Sequence, residues 1–265
     1  MGSVLDTRLG PADWERLTST DLAGAACVVF DILRATSTAV TALAHGARAL
    51  IPVGTLEEAV ALHRQHPEWL LAGERGGLRP GPESTGGVAF HLGNSPREFT
   101  RERVQDRTIV FTTTNGSRAL HACRHAPAVL AGALLNLTAT VEAVRALRPD
   151  RVLLICAGTG PDPALEDVLA AGAFIEQWSR ANLESHLTDA ASVAWRAWRG
   201  AGADLSGALQ HSANARRLLA LPELHDDVAW CLQHDRFRLT AWLDPDTDAL
   251  IARPAPAGPH PPAPR

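Results

Sequence analysis

Asp31, Arg34 and the hydroxyls of Thr36, Ser37 and Thr38 follow directly on the apolar run from Ala25 to Phe30. A run without polar alternation reads as a strand buried on both faces. The residue at its carboxyl end stands where open α/β sheets bind ligands. Asp31 could hold a metal, orient water or attack directly. Arg34 offers a fixed cation, and one of the three hydroxyls would cap a helix running to Ala44, whose N-terminus suits an anion. The plainer reading of this stretch alone is an ordinary strand end with a capping aspartate.

Three further loops carry comparable chemistry. Gly73-Glu74-Arg75-Gly76-Gly77 combines a carboxylate, a guanidinium and close backbone approach. Thr112-Thr113-Thr114-Asn115-Gly116-Ser117-Arg118 ends one apolar run and opens a helix, an uncharged cradle for phosphate oxygens with Arg118 at hand. Cys156-Ala157-Gly158-Thr159-Gly160 ends another, with Glu166 and Asp167 in the first turn of the next helix, where acids also favour the helix dipole without any catalytic role. Between the first two, the stretch from Pro80 to Gly93-Asn94-Ser95-Pro96 is too long for a mere connection and reads as a binding loop or lid.

Composition narrows the chemistry. All 25 basic residues are Arg, and Tyr is absent, which excludes a Schiff-base or P-loop lysine and a tyrosine acid or base. A net charge of -4 argues against a nucleic-acid surface. Cys27, Cys123, Cys156 and Cys231 form no Cys-x-x-Cys pair and suggest reduced thiols in a cytoplasmic protein. Cys27 and Arg34 are one residue too far apart for a cysteine-phosphatase loop, and Leu33 occupies the place of the second aspartate in a haloacid-dehalogenase-type site. His121 and His125 could share a metal, but a solvated helix face is the simpler reading. No apolar run approaches membrane-spanning length.

The elements that must position these groups alternate. Strands are expected over Ala47 to Val53, Trp69 to Ala72, Thr108 to Phe111, Ala128 to Ala131 and Arg151 to Cys156. Helices are expected from Thr55-Leu56-Glu57-Glu58, a capping box, to near His66, from Asn115, from Thr138 to Leu147 and from Leu165 to Arg180. The pattern predicts an α/β fold with a mostly parallel sheet covered by helices on both faces. Beyond Arg180, helices are expected over His186 to Arg199, Leu205 to Leu221 and Asp226 to His234, carrying Trp195, Trp198 and Trp230 against the sheet or a partner chain, then a last strand from Phe237 to Leu243. We read residues 1–243 as one α/β domain, divisible near residue 180, and residues 244–265 as a proline-rich tail.

Taken together, the motifs Asp31-Ile32-Leu33-Arg34-Ala35-Thr36, Gly73 to Gly77, Gly93 to Pro96, Thr112 to Leu120, Cys156 to Gly160 and Leu165-Glu166-Asp167-Val168, with Arg217-Leu218-Leu219 and Asp227 to Cys231 closing, resemble the 2-phosphosulfolactate phosphatase family of coenzyme M biosynthesis. The resemblance implies a magnesium-dependent phosphatase acting on a small anionic phosphorylated hydroxy acid. It implies a catalytic set of Asp31, Arg34, Glu74 and Arg75. Substrate and phosphate would be bound by Asn94, Ser95, Thr113, Thr114, Asn115, Gly116, Arg118, Gly158, Thr159 and Gly160. Magnesium prefers oxygen ligands, so one or two of Asp31, Glu74, Glu166 and Asp167 would hold it. No nucleic acid or membrane partner is expected, and a homodimer is compatible with this reading. His91 and Pro161-Asp162-Pro163 depart from the family's pattern, where substrate preference could differ. The alternative is a non-catalytic anion- or nucleotide-binding protein on the same fold.

Overall fold

The computed structural model describes residues 2–180 and 185–256. Among the described residues, ten strands form one sheet: β1 (Ser3–Arg8), β2 (Ala25–Phe30), β3 (Ala49–Val53), β4 (Leu70–Gly73), β5 (Thr108–Thr112), β6 (Ala128–Gly132), β7 (Arg151–Cys156), β8 (Ser185–Leu187), β9 (Leu239–Leu243) and β10 (Leu250–Pro254). Their order is β4-β5-β3-β10-β9-β6-β2-β7-β1-β8. The expected α/β architecture is observed. β2 lies between parallel β6 and β7, and all six of its residues are buried, which is why it shows no alternation.

The sheet contains two parallel blocks. β6, β2, β7, β1 and β8 form one, and β4, β5 and β3 form the other. Antiparallel β9 and β10 join them, and the pairing directions make the two blocks run in opposite senses. The join is short, with a single β10–β3 pair, Leu250 to Leu50, and two β6–β9 pairs. Pro52 lies beyond the β10 pairing, so its missing N–H leaves no ladder bond unmade on that side.

Several local expectations change. Ser3–Arg8 is a strand, although the lead-in showed little pattern, because only Leu5, Thr7 and their register with β7 mark it. Thr36, Ser37 and Thr38 do not cap the following helix, which starts at Ala35. Their hydroxyls instead reach the Asp31 amide and carbonyl, the Ile32 carbonyl and the Asn94 carbonyl, tying down the loop after β2. The capping box at Thr55 and Glu58 is present.

The expected His186 helix begins at Asp189, because Thr188 caps it by accepting from the Ala191 amide. The Leu205 to Leu221 segment is two helices, Leu205–Leu209 and Ala213–Leu219, the second capped by Ser212. Residues 244–254 are not tail, since β10 pairs with β9 along five residues, and proline content is a poor guide here because Pro254 sits at the strand's end. Residues 257–265 and the chain at 181–184, beside the expected division, lie outside the described residues.

Trp195 and Trp230 pack within the chain, donating to Glu176 Oε2 at 2.7 Å and to Thr41 Oγ1 at 3.3 Å. No helix of the described residues is long and apolar enough to cross a membrane.

Candidate active site

The loops after β2, β4, β5 and β7 converge on one cavity of about 270 Å³. The two sheet blocks therefore direct their carboxyl ends at the same space, which doubles the usual crevice of an α/β sheet. Asp31, Leu33 and Arg34 come from the β2 loop, Glu74, Gly76 and Gly77 from β4, Thr114 and Asn115 from β5, and Gly158, Thr159 and Gly160 from β7; Asn94, Asn214 and Arg217 complete the lining.

Glycines permit this convergence. Gly73 has φ +150°, and a Cβ there would lie 2.0 Å from the Thr112 carbonyl oxygen. That close approach lets the Glu74 amide donate to Thr112 O at 3.0 Å, placing the Glu74 side chain at the β5 loop. Glu74 Oε1 accepts from the Thr114 amide at 2.8 Å and Oε2 from the Gly77 amide at 2.6 Å. Gly116 performs the same service for Asp31, because a Cβ at 116 would sit 2.6 Å from Asp31 Oδ2.

Asp31 Oδ1 accepts from the Ala35 amide at 3.1 Å. Burial raises its pKa to about 7, with Glu74 and Glu166 adding in the same direction and the Ala35 hydrogen bond opposing. Asn115 Nδ2 donates to the carbonyls of Ala157 and Gly160, both at 3.0 Å, locking the β5 loop to the β7 loop. The carbonyl oxygens Asn115 Oδ1 and Asn94 Oδ1 are buried with no hydrogen-bond partner among the described residues. Two carboxylates line this small cavity together with two asparagines whose amide oxygens are unsatisfied, and oxygen donors of this kind suit a hard cation such as magnesium.

Other expected site residues stand elsewhere. Arg34 lines the cavity, but its Nη1 donates to Asp227 Oδ2 at 2.7 Å and its Nη2 to the Gly77 carbonyl at 2.6 Å, so its fork is already engaged. Arg75 turns away, donating to the Glu74 carbonyl and to Thr112 Oγ1. Arg118 pairs with Glu15 at 2.5 Å over the Trp14 ring, on a different surface, because it points outward from the first turn of its helix. Ser95 donates to Asp227 Oδ1, and Thr113 exchanges hydrogen bonds with Ser117 at the helix start.

Glu166 and Asp167 are buried but do not line the cavity. Asp167 bridges the β2 and β7 loops, accepting from Ile32 N at 2.8 Å and Gly158 N at 2.9 Å. Burial, then Asp31 and Glu166, hold its pKa well above the carboxylate range. Glu166 accepts from Ser212 Oγ and Asn214 Nδ2. These two acids are anchors for the loops and the C-terminal helices. His91 accepts from the Leu71 amide and does not line the cavity; neither do Pro161, Asp162 and Pro163, which close a turn between Thr159 and Asp162. Cys156 is wholly buried and its thiol is pushed well up by burial, so it is a packing residue.

Asn214, Arg217 and Asp227 were not foreseen as site residues. All come from the helical excursion before β9, where nothing in spacing marks a strand-end loop.

Comparison with known proteins is consistent across the chain. A model of the family described as 2-phosphosulpholactate phosphatase matches residues 13–244. A Thermotoga maritima protein named "Probable 2-phosphosulfolactate phosphatase" is 38% identical over 211 residues, covering 80% of this chain and 86% of that one. Proteins of the same name from Deinococcus radiodurans and a Synechococcus strain are each 40% identical, over 223 and 219 residues, covering 83% and 80% of this chain and 88% and 86% of theirs.

Proposed function

The chain belongs to the 2-phosphosulfolactate phosphatase family, and we propose that it hydrolyses 2-phospho-3-sulfolactate, or a related small anionic phosphorylated hydroxy acid, with magnesium held at Asp31 and Glu74. The observation that carries this reading is the pairing of those two cavity-lining carboxylates with the unpartnered amide oxygens of Asn94 and Asn115. A bare anion binder gains nothing from acids beside its ligand, since they repel it. Magnesium bound there would stabilise charge on the transferring phosphoryl group and acidify a bound water.

The chain's own groups divide the remaining work. The Thr114 and Gly77 amides fix both oxygens of Glu74, so its carboxylate enters the reaction already oriented. Asp31 keeps Oδ2 toward Gly116, without a hydrogen bond among the described residues, and this oxygen is free to meet metal or water. Thr114, Asn115 and the Gly158–Gly160 turn offer hydroxyl and backbone groups to phosphoryl oxygens. Arg34, its charge compensated by Asp227, contributes wall rather than a free fork.

The test is phosphate release from a panel of phosphorylated hydroxy acids with magnesium and with chelator. We expect release from 2-phosphosulfolactate that chelation removes and magnesium restores, and none from Asp31→Asn. Release unaffected by chelation would remove the metal from the proposal, and absence of release from the whole panel would remove the activity.

A further inference from the structure

We infer that Arg217 is the specificity residue of this cavity, gripping the anionic arm of the substrate that is not hydrolysed, a carboxylate or a sulfonate. What is gripped rests on the phosphatase reading above; where the cation stands does not.

Among the described residues, the charges lining the cavity are those of Asp31, Glu74, Arg34 and Arg217. Arg34 is compensated, because Asp227 pairs with it and neither side chain has appreciable exposure. Arg217 differs. No carboxylate lies within salt-bridge reach of it among the described residues, and its hydrogen-bond partner is a neutral amide oxygen, Asn214 Oδ1, at 2.7 Å. It is thus a cation with fork nitrogens left for a ligand, on a cavity already holding two acids.

Its aim is fixed from below. Asn214 Nδ2 donates to the Leu33 carbonyl at 2.6 Å and to Glu166 Oε1 at 2.9 Å, and Ser212 Oγ holds the other Glu166 oxygen at 2.7 Å. These bonds set the Asn214 amide so that its oxygen faces Arg217. Glu166 therefore acts as a positioning residue, two steps removed from the ligand. The guanidinium lies over Gly77, where a Cβ would stand 3.5 Å from its carbon, and the Gly77 amide is the donor to Glu74 Oε2. One glycine separates the acid from the cation. A ligand whose phosphoryl group is at Glu74 therefore has Arg217 within reach of its next substituent, because both residues line the same cavity.

Arg217 is exposed at the rim, so its replacement leaves the core intact. The test compares the parent, Arg217→Met and Arg217→Lys on 2-phospho-3-sulfolactate, 2-phospholactate, 2-phosphooxyethanesulfonate and ethyl phosphate, with melting curves as a fold control. We expect Arg217→Met to raise KM for phosphosulfolactate roughly tenfold or more while kcat changes little, since the contact is to a group that does not react. Lys should recover part of the loss, and ethyl phosphate, lacking both arms, should be indifferent to the change. A penalty that survives in the ethanesulfonate but not in phospholactate identifies a sulfonate contact, and the converse a carboxylate contact; either supports the inference. Equal losses on all four substrates, or none, overturn it. If the parent hydrolyses none of them, the phosphatase reading fails. The inference is then decided by calorimetric titration with 3-sulfolactate: binding about tenfold weaker in Arg217→Met sustains it, and equal or absent binding refutes it.

Discussion

Arg34 and Asp227, 193 residues apart, meet at 2.7 Å between Nη1 and Oδ2 in a fully buried pair. The second Asp227 oxygen accepts from Ser95 Oγ at 2.6 Å and Arg97 Nε at 3.0 Å, so one carboxylate joins the β2 loop, the long loop before β5 and the His225–Cys231 helix. Removing one partner leaves an uncompensated buried charge. Asp227→Ala should therefore lower unfolding free energy by about 3–5 kcal/mol, measured by urea denaturation. A loss below about 1 kcal/mol, the range of a surface pair, would contradict the geometry. Arg34→Lys should lose both stability and turnover, because an ammonium cannot serve Asp227 and the Gly77 carbonyl with the same fork.

Gly116→Ala tests the Asp31 site from its other wall. The new methyl group would lie 2.6 Å from Asp31 Oδ2 and 2.7 Å from the Ala35 side chain, so one of them must move. The expected result is a folded protein with turnover reduced roughly tenfold or more, since even about 1 Å of misplacement is costly at a reacting centre. Parent-level turnover would mean that Asp31 tolerates displacement and is not oriented as described.

The strand-end loops were legible because their chemistry is local. An apolar run followed by Asp31, or by Gly73-Glu74, states its position in a handful of residues, and the cavity assembles from those stretches. What sequence could not supply was the direction of side chains. Arg75 and Arg118 share motifs with Glu74 and Asn115, yet one turns back on its own loop and the other faces Glu15, because helix and turn geometry send neighbours to opposite sides. Glu166 and Asp167 read as candidate metal ligands in sequence, where their hydrogen-bond partners, Asn214 and the Ile32 and Gly158 amides, are not visible. The reversal of β4, β5 and β3 relative to the other block depends on β10, a strand hidden in a proline-rich stretch.

Asp167→Asn separates an anchor from a ligand. Asp167 accepts two backbone N–H groups, one on each oxygen, and an amide can accept only one while turning an N–H toward the other donor. The substitution should cost about 1–3 kcal/mol of stability, and magnesium should still raise the melting temperature of the folded variant. Loss of the magnesium response with unchanged stability would instead make Asp167 a metal ligand.

Asp31→Asn should behave oppositely, and pH exposes why. The folded-state pKa of Asp31 is raised to about 7, first by burial and then by Glu74 and Glu166, against an ordinary value of 3.8. A raised carboxyl group favours the folded state fully below its unfolded pKa, and that contribution is lost as pH rises through the folded value. In chelator, the parent should lose stability from about pH 4 to about pH 7 for this reason, while Asp31→Asn, nearly isosteric and uncharged, escapes that loss. The variant should therefore be more stable than the parent at pH 8, with the gap shrinking toward pH 4, in paired denaturation curves. If magnesium is held at Asp31 as proposed, it should narrow the gap at pH 8, because it would bind the ionised parent and stabilise the folded state by mass action. A gap that is constant from pH 4 to pH 8 would show that Asp31 is ionised throughout, held by a cation rather than strained by burial, and would point to a compensating arginine at the cavity in place of the metal.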